Sequence, residues 1–125
     1  MHTSIYAGFC GLLMAWLALQ TIKVRRSNKV KLGDGGNFAL QSAIRAHGNF
    51  AEYMPIVLIL LFLLEYNGMH YLVIHVIGIA FLVGRWTHAQ GLLKDDLRLR
   101  VKGMGFTLTI LIGLSVTNIL LTILH

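Results

Sequence analysis

The stretch Arg45-Ala46-His47-Gly48-Asn49-Phe50-Ala51-Glu52-Tyr53-Met54-Pro55 leads directly into the apolar run Ile56 to Leu64. It reads as the polar mouth of a membrane-spanning helix. Taking an ionised side chain into hydrocarbon costs roughly 2.5 to 3.5 kcal/mol on insertion scales, so such residues usually pair, face an interior or serve a site. Spacings of four, three and seven residues place Arg45, Asn49 and Glu52 within about 60° of one another on an α-helical wheel. They form one polar stripe, with Tyr53 at its edge and His47 on roughly the opposite side.

The sequence around this stretch has the same character. Of 125 residues, 56% are hydrophobic and only 13% charged, and the mean hydropathy is +0.70. A helix needs about 20 apolar residues to cross a bilayer, and four stretches reach that length, at about 5–24, 42–65, 70–92 and 103–124. The chain from 1 to 125 therefore reads as a single all-α domain, an integral membrane four-helix bundle. Asp34-Gly35-Gly36-Asn37 and Asn67-Gly68 supply turn residues between the first three helices. Pro55 lies inside the second, where its missing N–H predicts a kink or local opening near Ala51.

Charge gives an orientation. The 11 Lys and Arg residues cluster around the first and third connections and avoid both termini and the Tyr66–Tyr71 connection. By the positive-inside rule those two basic connections are cytoplasmic and both termini lie on the other side. The net charge of +6 thus belongs to one membrane face. It argues against a nucleic-acid partner and for attraction to anionic membrane lipids. The first hydrophobic segment has no basic leader before it and reads as a retained helix rather than a signal peptide. Cys10 is the only cysteine, which excludes an intramolecular disulfide. A bundle this small has little private interior, so the chain is expected to oligomerise.

Arg85 and His88, three residues apart on the third helix, fall at the same depth as the stripe. Arg25 or Arg26 after the first helix, and Arg98 and Arg100 before the fourth, complete a ring. Several guanidinium groups, one carboxylate, one amide, one imidazole and one phenol suit a small zwitterion with surplus negative charge. The planar fork of arginine engages carboxylates in pairs, and Glu52 can hold an ammonium. The competing reading is an Arg45–Glu52 ion pair that only fixes helix packing. Asp95 and Asp96 read as a solvated face or as partners of Arg98 and Arg100. The histidines show no metal-ligand spacing and no cysteine joins them, so no metal is expected.

The Arg45 to Pro55 motif, with Arg85-Trp86-Thr87-His88 later in a four-helix chain of this length, resembles the MAPEG family, the membrane-associated proteins of eicosanoid and glutathione metabolism. The small bacterial members are the most similar. The resemblance implies a homotrimer of the bacterial inner membrane, with glutathione as cosubstrate bound between subunits near the cytoplasmic face. It assigns glutathione binding to Arg45, Asn49, Glu52, Tyr53, Arg85 and His88, with Arg25 the better match at the end of the first helix. The family arginine that stabilises the glutathione thiolate falls on Arg98 or Arg100. Leu92 stands where animal members often carry a tyrosine.

The implied function is glutathione transfer or peroxidase chemistry on a lipophilic small-molecule substrate. A thiol attacks as its thiolate, and adjacent cations favour that form over the thiol, whose ordinary pKa is about 8.5. The alternative is a trimeric membrane binding or scaffold protein whose polar cluster holds a small anion or a lipid headgroup, or is purely structural. A transporter fits less well, because Ile56 to Leu64 offers no polar path onward.

Overall fold

The ends of the helices are set by capping groups rather than by the limits of the hydrophobic segments. In the computed structural model, which describes residues 1–125, the helices are α1 (Thr3–Ser27), α2 (Phe38–Tyr66), α3 (Tyr71–Leu93) and α4 (Leu97–Leu124). Asn37 starts α2, its side chain accepting the Leu40 N–H at 2.9 Å. Asp96 starts α4, its carboxylate accepting the N–H groups of Arg98 at 3.0 Å and Leu99 at 3.4 Å. A short polar side chain that takes a free first-turn N–H is a strong helix-start signal.

These caps change two sequence expectations. The charged segment from Lys94 to Lys102 is not a connection: α4 already begins at Leu97, six residues before the expected 103. Arg98, Arg100 and Lys102 therefore stand on a helix with fixed angular positions. The Asp96 carboxylate is engaged with backbone, and the only ion pair in the chain is Arg45–Glu52, so Asp95 and Asp96 do not pair with Arg98 or Arg100. α1 and α2 likewise extend past their apolar cores, and α2 continues through Pro55 as one helix.

Gly35 and Gly36 take positive φ values of 58° and 73° in the loop before α2, a region open to glycine without steric cost. The Asp34 carboxylate accepts the Gly36 N–H at 2.8 Å and closes that turn. α2 and α3 form the central pair of the bundle. α1 packs on one side of them and α4 on the other, so α1 and α4 do not meet.

The α3–α4 seam is tight because it is lined by glycine. A Cβ on Gly103 would fall 2.6 Å from both the Gly84 carbonyl oxygen and His88 Cα, and one on Gly91 would fall 2.8 Å from Arg100 Cα. Between the helices lie Leu17, Phe50, Val57, Leu61, Ile74, Phe81 and Leu114, with Cys10 fully buried among them. Only 24 of 125 residues are buried, and the outer faces carry Phe9, Leu12, Ile59, Val76, Ile112 and Ile119 uncovered. All four helices are long and apolar enough to cross a membrane. Hydrocarbon is the solvent in which such a surface is stable.

Candidate functional site

At the end of the bundle where the α1–α2 and α3–α4 loops lie, side chains of α2, α3 and α4 border a cavity of about 370 Å³. Arg45 and Asn49 come from α2, His88 and Leu92 from α3, and Leu97, Arg100, Val101 and Met104 from α4. A smaller recess of about 180 Å³ shares Arg45, Leu92, Leu97 and Arg100 with it and continues towards Ser42 and Asp95. The α4 contribution follows from the early start of that helix. Positions 97, 100, 101 and 104 fall on one α-helical face, whereas 98 lies about 100° round from it. Arg100 thus reaches the cavity and Arg98 does not line it.

Behind Asn49 stands Arg85, one of the largest fully buried side chains. Its Nε donates to Thr107 Oγ1 at 2.8 Å, and one terminal nitrogen donates to Asn49 Oδ1. Thr107 in turn donates to the Gly103 carbonyl at 2.9 Å, tying the cluster to the glycine seam. The guanidinium carbon also lies 5.5 Å from the centre of the Tyr53 ring, within range of a cation–π contact. The other terminal nitrogen of Arg85 is buried with no partner. An unsatisfied charged donor is expensive at that depth.

This arrangement fixes the polarity of Asn49. With Oδ1 occupied by Arg85, the amide has its NH₂ left to offer. The polar part of the cavity wall is therefore rich in donors: two guanidinium groups and an amide NH₂, beside the His88 ring, which has no hydrogen-bond partner in the protein and can donate at one nitrogen and accept at the other. The counter-charge is Glu52, whose carboxylate receives the Arg45 guanidinium at 3.3 and 3.5 Å. The Arg45 side chain passes over Gly48, where a Cβ would approach its terminal nitrogen to 3.2 Å. Both members of the pair are about half exposed, at 54% and 56%. Such a pair is a weak fastener of helices and remains open to exchange for a better ligand.

Of the residues singled out from sequence, Arg45, Asn49, His88 and Arg100 thus meet at one cavity. Arg85 and Tyr53 stand behind it, and Glu52 braces Arg45. Arg25 is elsewhere: its terminal nitrogen donates to the carbonyls of Gly33 at 2.8 Å and Val30 at 3.4 Å, holding the α1–α2 loop. Leu97, Val101 and Met104, which give the cavity its apolar wall, and Thr107, which anchors Arg85, were not singled out from sequence. Their signal was the four-residue rhythm of α4, which becomes readable once Asp96 is taken as the cap.

A second polar cluster lies at the opposite end. The Glu65 carboxylate receives the His2 N–H, the Thr3 N–H at 2.7 Å and the Thr3 hydroxyl, capping α1 from the end of α2. The Tyr6 hydroxyl and His75 Nδ1 are 2.6 Å apart, and His75 Nε2 lies 3.1 Å from His2 Nδ1. The Tyr6 ring can reach His75 because Gly78 leaves room for it.

Known proteins share this sequence pattern. A family model described as the MAPEG family matches residues 3–120. The inner membrane protein YecN of Escherichia coli strain K12 is 36% identical over 119 residues, which cover 95% of this chain and 91% of that protein. The YecN protein of Escherichia coli O6:H1 gives the same values.

Proposed function

The chain belongs to the MAPEG family, and from that premise we propose that its cavity binds glutathione and promotes attack of the glutathione sulfur on a lipophilic electrophile. The observation that carries the reading is the donor-rich wall: Arg45, Arg100 and an Asn49 amide whose oxygen already accepts from Arg85. Two carboxylates and a thiolate need donors, and one ammonium needs a carboxylate, which Glu52 supplies. A volume of about 370 Å³ lies within the usual range of small-molecule sites.

Bound glutathione supplies the nucleophile, its thiol. Arg100 holds the negative charge of the sulfur, and Arg45 with Asn49 fixes the carboxylates. Leu97, Val101 and Met104 present the apolar side against which a lipophilic electrophile rests. In this reading the chain is a multi-pass inner membrane protein with the basic connections cytoplasmic and both termini on the other side. It assembles as a homotrimer, and Arg25 joins a glutathione site only from a neighbouring subunit.

A second reading, a trimeric holder of small anions without chemistry, draws support from Leu92. This apolar side chain occupies the cavity wall and can offer nothing to a thiolate. Purified protein in detergent separates the two through equilibrium glutathione binding, the absorbance of the thiolate, and turnover of a dinitrophenyl halide. Binding with a thiolate signal and turnover supports the enzyme, and binding alone supports the holder. Absence of binding removes glutathione from both and leaves the holder only for other small anions.

A further inference from the structure

A second concavity, of about 300 Å³, lies at the turn after α1 and is lined by Arg25, Arg26, Lys29, Val30 and Lys31. We propose that its basic rim is a site for the phosphodiester headgroup of an anionic phospholipid. Within one chain it shares no lining residue with the cavity described above, and its charges Arg26, Lys29 and Lys31 are ones the glutathione reading does not use.

The aliphatic stems of four basic side chains line this concavity, which leaves their charged ends to its rim, and none is paired with a carboxylate, since the only ion pair in the chain is Arg45–Glu52. The nearest acid in sequence, Asp34, is turned inward to the Gly36 N–H. Arg25 forms the frame, its terminal nitrogen fastened to Val30 and Gly33, which leaves Arg26, Lys29 and Lys31 as the free charges.

The backbone brings these charges together. The Lys29 N–H reaches the Arg26 carbonyl at 3.2 Å and the Val30 N–H reaches the Arg25 carbonyl at 3.1 Å, the paired closure that ends many helices. The residue at the turning point of that closure is ordinarily glycine, because φ is positive there. Here it is Lys29, at φ 53°. Holding a side-chain-bearing residue in this conformation costs energy, and the result is a chain that turns back at Lys29, so that Arg26, Lys29 and Lys31 border one concavity.

The surroundings favour a lipid over a soluble anion. Leu32 on the loop is 91% exposed, Phe38 at the start of α2 is 61% exposed, and Ile22 on the last turns of α1 is also uncovered. A free phosphate would leave these groups in water, whereas a phospholipid places its acyl chains against them while its phosphate meets the cations. Juxtamembrane clusters of Lys and Arg attract anionic lipids by this combination.

The test is a titration of the delipidated full-length chain in neutral detergent with phosphatidylglycerol, phosphatidylcholine and glycerol 3-phosphate, following bound lipid by native mass spectrometry. Phosphatidylglycerol is expected to bind in preference to phosphatidylcholine. Lys29→Gly with Lys31→Gln, which keeps the turn and deletes two charges, should weaken it about tenfold. The matched pair Lys94→Gln with Lys102→Gln, on the same end of the protein but outside the concavity, should leave it unchanged. Equal weakening by both pairs would show a diffuse field rather than a site and overturn the proposal. So would no weakening by the first pair, or competition by glycerol 3-phosphate as effective as that of the lipid.

Discussion

The two polar ends of the bundle are built to opposite principles. At the end held by Glu65, a carboxylate caps α1 and His75 bridges Tyr6 and His2, so the polar groups are spent on one another. At the other end Arg45 and Arg100 face a cavity, and Arg85 keeps one buried nitrogen without a partner. A closed network fastens helices. An open one, with its donors aimed at a space, costs stability unless something fills the space, and in membrane proteins that imbalance marks a binding site more reliably than polarity alone.

The contrast can be broken most severely at the seam. Gly103→Ala would drive a methyl into the backbone of α3 beside His88, which supports the open end. It should cost about 3 kcal/mol or more, read as a loss of thermal stability together with glutathione binding. Next in size, Arg45→Ala combined with Arg100→Ala should lower glutathione affinity roughly a hundredfold, from about 1.5 kcal/mol for each charged contact removed. The unfolding temperature should stay near wild type, and an unchanged affinity measured by calorimetry would make the open end merely structural.

Asn49→Asp sharpens the same point. The aspartate still accepts from Arg85 but offers no donor to the cavity, so affinity should fall about tenfold while stability holds. A variant that binds normally would show that the amide NH₂ is not used. Smallest is Glu65→Gln at the closed end. It should cost about 1 kcal/mol of stability through weakened capping of α1, with no change in glutathione affinity. If ligand affinity moved with it, the two ends would be coupled rather than independent.

The stripe of Arg45, Asn49 and Glu52 was legible from spacing because all three residues lie on one helix, and helical periodicity alone sets their common face. The four membrane-crossing helices were legible for the same local reason, as long apolar runs. Where α4 begins was not: hydropathy marks where the hydrocarbon ends, whereas the helix ends at its cap, and the Asp96 cap starts α4 at Leu97, six residues before the expected start. That shift alone separates Arg100 from Arg98. The Arg85–Asn49–Thr107 cluster joins three helices, and the Glu65 cap joins residues 62 and 63 positions apart. Contacts of that range depend on packing and leave no periodic signal.

Cys10 gives one further consequence. It is the only sulfhydryl in the chain, fully buried in α1 with no accessible surface, on the far side of the central helix pair from α4 and its arginine. A catalyst that handles electrophiles is exposed to alkylation by its own substrates. In the proposed reaction the one residue most open to that damage is sealed from both the bilayer and the cavity, so its thiol would be protected from alkylation. The same seclusion leaves the folded chain free of background in thiol labelling, and a cysteine introduced at the cavity rim would report on the site alone.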